Sequence, residues 1–241
     1  MMKIYKPYRT CLPGALYLGL LLAAPPSAGT DWQFELGAGT DLIRRGVSYS
    51  DEAFVQLRAS AYLGKGWFIA TSGTNVKPAS GRRGAQVVAN VGFGWPLADG
   101  WEAQLAATHY EYVGDAPLRA LRYDDLTVTV DYRDLVFFSV SASPNNAFVV
   151  ADGQLVTGKT IAYDLILRYP FAPGWSAHAG IGYGALRGSG ERGYHYGDVG
   201  LSRQFARMQA NLSYIAVDST GKQRFGPAAS NRWVASLTHY F

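Results

Sequence analysis

Cysteine is almost absent from this 241-residue sequence; the single one, Cys11, lies ahead of the first apolar run. A lipid-modified cysteine would follow such a run, so no lipoprotein anchor is indicated. The chain after residue 28 has no thiol at all, which excludes a disulfide framework and thiolate chemistry there. Long apolar runs are missing too. No stretch after residue 28 reaches 18 consecutive apolar residues, so any membrane crossing has to be made by strands of a closed barrel. Helical periodicity is equally scarce in that region. The formal charge is only +4, and Lys3, Lys6 and Arg9 supply three of those units. The remainder is close to neutral, and the basic pI therefore gives no argument for a nucleic-acid partner. His109, His178, His195 and His239 are scattered without an H-E-x-x-H spacing, so neither a metal nor a cofactor is expected.

What is present begins with an N-terminal segment unlike the rest. Met1 to Arg9 carries three bases and no acid, Leu12 to Ala24 is almost unbroken apolar, and Pro25-Pro26-Ser27-Ala28-Gly29 supplies small residues and a break. A basic start, a short apolar stretch and a small-residue exit predict a cleaved secretory signal peptide over 1–28. The mature chain, 29–241, reads as one all-β domain. Its periodicity is two: in Ile161–Tyr169 and Leu126–Tyr132 one face is apolar or aromatic and the other mainly polar. Runs of this kind cover 31–43, 53–64, 66–76, 85–97, 101–112, 121–133, 135–142, 159–171, 175–185, 194–205, 206–217 and 232–241. Most have the length a tilted strand needs to cross a bilayer.

The connections alternate. Short links fall near Lys65, Ala98-Asp99-Gly100, Arg133-Asp134, Ala172-Pro173-Gly174 and Phe205-Ala206; longer polar ones fall at 44–52, 77–84, 113–120, 143–158, 186–193 and 218–231. Short periplasmic turns, longer external loops and an even strand count describe a transmembrane antiparallel up-and-down β-barrel of about twelve strands, with both termini periplasmic. Tryptophan placement agrees. Trp32, Trp67, Trp95, Trp101 and Trp175 fall at the short-turn level, where they would form the aromatic girdle of an outer-membrane barrel in a Gram-negative bacterium. Only Trp233 falls at the other end. The chain closes Trp233–Phe241 in alternation on a terminal Phe241, which resembles the signal read by the barrel assembly machinery.

Several stretches resemble the TorF-type porins, a proteobacterial family. Arg45-Gly46-Val47-Ser48-Tyr49-Ser50 is similar to the first external loop of that family, and Gly66-Trp67-Phe68-Ile69-Ala70 with Asn75-Val76 to its next hairpin. Tyr110-Glu111-Tyr112 and Tyr194–Ser202 fall where members carry related patterns. The sequence departs at Arg44, Ser72 and Tyr49, where the family has an aromatic residue, Trp and Gln. The resemblance implies passage of small solutes through an outer-membrane barrel.

The alternation sends Glu35, Arg58, Glu102, Asp125, Asp131, Asp164, Arg168, Asp198 and Arg207 inward, because a lipid-facing Arg or Lys at the midplane costs about 2–4 kcal/mol. These are the candidate pore-lining residues. Opposed acidic and basic arcs can order a permeating solute; alternatively they pair and plug the interior. Twelve strands lie between eight, which side chains fill, and the sixteen of open channels, so the bore is expected to be narrow. The 143–158 loop is long enough to fold inward. The external loops carry a basic excess that suits lipopolysaccharide phosphates, and the strands an acidic one. Gly180-Ile181-Gly182-Tyr183-Gly184 lacks the full G-x-G-x-x-G spacing and reads as lumen space. Ser176 and His178 share the inward face near a periplasmic turn, the wrong place for an enzyme acting on lipid, and no G-x-S-x-G accompanies them. A passive porin for ions or small hydrophilic solutes, with no catalytic residues, is the leading expectation. A closed structural or adhesion barrel and an outer-membrane lipid-modifying enzyme are the alternatives. The oligomeric state is open.

Overall fold

The computed structural model describes residues 30–50, 52–78, 83–187 and 192–241. The expected signal peptide, 1–28, lies outside them. In chain order the strands are β1 (Asp31–Gly39), β2 (Leu42–Arg44), β3 (Val47–Ser50), β4 (Phe54–Gly64), β5 (Trp67–Val76), β6 (Gly84–Ala98), β7 (Trp101–Val113), β8 (Tyr123–Tyr132), β9 (Val136–Val149), β10 (Leu155–Ala172), β11 (Trp175–Arg187), β12 (Tyr194–Phe205), β13 (Met208–Val217) and β14 (Arg232–Tyr240). All except β2 and β3 form one closed, antiparallel, twelve-stranded barrel in which each strand pairs with its neighbour along the chain. β14 returns to β1 with Glu35 opposite Tyr240 and Gly39 opposite Ser236, so no edge is left unpaired.

Period-two patterning explains the two faces. Phe34, Leu57, Leu167, Ile181, Val199, Leu201 and Leu212 stand outward and exposed, while Gln56, Ser60, Thr129, Ser139, Ser202 and Ser213, next to them in the chain or the sheet, are buried inside. An exterior this apolar is the reverse of a water-soluble barrel. The short links are tight turns with left-handed residues: Lys65 (φ 51) with Gly66, Arg133 (φ 52) with Asp134 (φ 58), and Ala206 (φ 51). Pro96 and Pro170 cannot donate to a ladder, and both sit at register shifts beside such turns. Both the start of β1 and the end of β14 lie at this short-turn end, where the Phe241 amide donates to the Phe34 carbonyl.

Two expectations are corrected at the opposite end. The 143–158 stretch is not an inward loop. β9 runs on to Val149 and β10 begins at Leu155, leaving 150–154 as the connection. Asn145 and Asn146, inside the expected loop, act as cross-strand ties. Asn145 Nδ2 donates to Asp124 (2.8 Å) and Asn146 Nδ2 to Thr160 Oγ1 (3.1 Å), beside a register shift at Gly158/Thr160. The first strand also ends at Gly39 rather than at residue 43, and the segment that follows is the one that folds inward. Two short helices, α1 (Ala116–Arg119) and α2 (Ser219–Phe225, running into a 3-10 turn at Gly226–Ala229), cover the same end. Asp115 and Asp218 cap them through Leu118 N (3.1 Å) and Gly221 N (2.8 Å).

Candidate functional site

The inward segment is the hairpin β2–β3. Arg44 pairs with Val47 across a two-residue turn, Arg45-Gly46, whose residues both have positive φ (50° and 76°), the geometry that matches strand twist in a tight hairpin. Glycine is required at the second position for space as well as conformation. A Cβ on Gly46 would lie 2.7 Å from Tyr196 Cβ and 2.8 Å from Val217 Cγ2, so the hairpin tip is pressed against β12 and β13. Leu42, Ile43, Arg44, Arg45, Val47, Ser48 and Ser50 are all buried. Leu42 packs in a cluster with Phe54, Tyr110, Tyr112 and Tyr123 on one wall, while Val47 joins Tyr194, Tyr196, Val217 and Phe225 on the other.

Polar contacts fix the strap at both ends. At its base Asp41 accepts from Ser48 Oγ (2.6 Å) and Arg232 Nη1 (2.5 Å). At its tip Arg45 Nη2 donates to Asp125 Oδ2 (3.0 Å), and Tyr194 donates its hydroxyl to the Arg45 carbonyl (3.0 Å). Tyr196 in turn donates to Asp164 (2.6 Å). Arg44 is treated differently. Its guanidinium carbon lies 4.1 Å from the Tyr110 ring centre, 4.9 Å from Tyr49 and 5.9 Å from Tyr123, and it donates to the Tyr123 hydroxyl and Gln86 Oε1 (3.2 Å). Cation–π contacts of this kind contribute roughly 0.5–2 kcal/mol each, more when desolvated. Two cavities flank the strap. One lies against β4–β7 and reaches Arg58 and Thr108; the other lies against β9–β11 and reaches Thr160 and Arg224. Arg44 lines both.

The inward set is placed largely as the alternation implies. Asp125, Asp164 and Asp198 are buried inside, and Glu35, Arg58, Glu102, Asp131 and Arg168 are half-buried on the inner face. Glu35 and Arg58 stand in register on β1 and β4, as do Glu102 and Asp131 on β7 and β8. Arg207 is the exception. It lies in the turn after β12 and is exposed, because β13 begins at Met208 rather than at residue 206. Trp32, Trp67, Trp95, Trp101 and Trp175 all stand at the short-turn end, ringed by Phe34, Phe93, Tyr132 and Phe171 at centroid distances of 5.0–6.4 Å.

The lumen space expected at Gly182 and Gly184 is taken up by inward tyrosine rings. A Cβ on Gly182 would meet the Tyr196 ring at 2.3 Å, and one on Gly184 the Tyr194 ring at 2.9 Å. Ser176 and His178 do not form a pair. Ser176 Oγ bonds Ser202 Oγ (2.7 Å) and accepts from Arg168 (3.3 Å). His178 Nε2 faces Asp198 Oδ2 (2.8 Å) and Ser213 Oγ (3.3 Å) together, so its two nitrogens do not bridge an acid and a hydroxyl. On the outer face, His109 lies between Asp124 (2.7 Å) and Glu111 (3.3 Å), and His195 beside Asp218 (3.2 Å). Their partners are carboxylates. Among the described residues no cluster suited to a metal ion is found. In the loops, hydrogen bonds from Lys77 (2.7 Å) and Arg83 (3.1 Å) hold the Glu52 carboxyl below its usual range.

Sequence patterning missed the hairpin insertion. The available signal was a buried-type run, Leu42-Ile43 and Val47, around an Arg-Gly turn, opposite inward tyrosines too numerous for a solvated loop end.

No protein-family model matches the chain, and no curated protein sequence does. Among solved structures the barrel is similar to the NanC porin (TM-score 0.55, 9% identity, 86% of this chain and 98% of that one). It is also similar to the KdgM porin (TM-score 0.53, 8% identity, 87% and 99%) and to the KdgM porin in complex with disordered oligogalacturonate (TM-score 0.53, 7% identity, 87% and 99%). At these identities the likeness is one of fold: this chain forms a closed barrel of twelve antiparallel strands, as those structures do.

Proposed function

We propose that the protein is a small-bore porin of the Gram-negative outer membrane, passing ions or small hydrophilic solutes by diffusion past the inserted hairpin. The observation that carries this reading is a barrel apolar outside and polar inside whose lumen keeps two open pockets beside the strap. The tryptophan ring then marks the periplasmic interface, both termini are periplasmic, Phe241 is the assembly signal, and the basic loops face lipopolysaccharide. Membership of the TorF-type porins is part of the same proposal, supported by the short motifs around Arg45, Gly66 and Tyr194. Conductance of the folded protein in planar bilayers tests it; silence from properly folded barrels would sink it.

Two other readings have support. Ion pairs at both ends of the strap, Asp41–Arg232 and Arg45–Asp125, favour a closed structural or adhesion barrel. The same bilayer recording separates it from a porin. Outward His109 and His195 with acidic partners would suit a lipid-modifying enzyme, but among the described residues no nucleophilic hydroxyl bonds to them. Phospholipid or lipid A turnover by purified protein would establish that reading.

A further inference from the structure

The cavity between the strap and β4–β7 has an unbalanced lining. Its charged residues are Arg44 and Arg58, and the rest of the polar wall is amide and hydroxyl, including Gln56, Asn90 and Thr108. Among the described residues no carboxylate lies within ion-pair distance of either arginine. This sets Arg44 apart from its neighbour Arg45, which Asp125 neutralises at 3.0 Å. Burying a cation without a counter-charge is costly, and tyrosine faces and one amide oxygen offset only part of that cost. A guanidinium has five N–H donors, and among the described residues Arg44 uses two of them, on Tyr123 and Gln86. Among the described residues Arg58 makes no side-chain hydrogen bond; the acid whose charge it feels is Glu35, in register on β1 and outside the cavity lining. At the other end of the lumen the balance reverses, with Glu102 beside Asp131 near the short turn. The path therefore presents a cationic chamber toward the loops and an acidic arc toward the turns.

We propose that this chamber is a binding site for a small hydroxylated organic carboxylate. Arg58 and the remaining donors of Arg44 take the carboxylate, and the amides and hydroxyls take the solute's hydroxyls. The proposal rests on the porin reading for its entry route, and the site is approached from the loop side. Gluconate as probe, with glucose and N-methylglucamine as neutral and cationic counterparts of similar size, tests it in two ways. In bilayers, gluconate interrupts the current more strongly from the loop side than from the turn side, and the two counterparts do not. Arg58→Gln and Arg44→Lys each weaken gluconate binding by about tenfold, the worth of a charge-assisted hydrogen bond, while Arg207→Gln in the exposed turn leaves it unchanged. Equilibrium dialysis of labelled gluconate against detergent-folded protein reads the same site without conduction. Binding by a barrel that does not conduct keeps the site and removes the porin reading. A conducting barrel that binds gluconate no better than glucose, or equally with Arg58→Gln, overturns the site and keeps the porin. Arg58 stands on the barrel wall rather than in the strap, so that variant remains informative even if Arg44→Lys fails to fold.

Discussion

Replacing Gly46 with alanine should unseat the strap without touching the barrel wall. The added Cβ has two costs in the seated state. Its φ of 76° lies in the left-handed region, which costs a residue with a side chain roughly 1–2 kcal/mol. It also meets Tyr196 Cβ at 2.7 Å and Val217 Cγ2 at 2.8 Å, both on paired strands that cannot step back, so the tip has to retreat. Overpacking of this kind costs about 1–3 kcal/mol. Together the penalty is about 2–5 kcal/mol, which raises the unseated population by roughly 30-fold to several thousand-fold. Tyr194 then loses the Arg45 carbonyl and Arg45 swings away from Asp125. Single-channel recording should show larger and noisier conductance for Gly46→Ala, with heat-modifiable migration on gels confirming a folded barrel. Gly73→Ala is the matched control, since a Cβ there meets nothing within 4 Å. Unchanged conductance in a folded Gly46→Ala barrel would refute the seating argument.

Other consequences are smaller. The tie between Glu52 and Lys77 and Arg83 holds its carboxylate ionised below the usual range, so the tie is complete at neutral pH and is lost as pH falls through that lowered value. A carboxyl NMR titration should place the Glu52 midpoint below the roughly 4.3 of a free glutamate; a midpoint at or above it contradicts the tie. Gly200→Ala puts a Cβ 2.4 Å from His178 Cε1 and 2.6 Å from the Leu212 carbonyl, and should destabilise the barrel by about 1–3 kcal/mol in urea unfolding. An unshifted midpoint would mean that β12 has slack the structure does not show. Trp67→Ala removes the contact with Phe93 at 5.2 Å and should cost at least about 0.5–1.5 kcal/mol against unfolding from lipid. Equal stability would argue against the girdle.

Legibility in the sequence follows the range of the interaction. Alternation is a property of adjacent residues, so the wall strands and the inward Asp125, Asp164 and Asp198 can be read directly. The alternating short and long links, and the tryptophans beside the short ones, carry the topology. Seating of the strap depends on distant residues instead. Gly46 fits because Tyr196 and Val217, 150 and 171 residues away, leave a hollow, and Arg44 stays buried because Tyr110 and Tyr123 converge on it. Local composition points the other way, because two adjacent arginines read as a solvated loop. The 143–158 segment misleads by the same route: Pro144, Asn145 and Asn146 have turn chemistry, but their cross-strand partners Asp124 and Thr160 hold them extended. The shared face of Arg44 and Arg58 is likewise invisible until the hairpin is seated.

The central claim is a transmembrane path narrowed by the β2–β3 strap. Single-channel conductance, recorded for the folded wild-type protein beside a variant in which residues 42–50 are replaced by a short Gly-Ser turn, tests it most directly. The account predicts small resolved steps for the wild type and markedly larger ones for the variant; silence from both barrels, or steps of equal size, would contradict it.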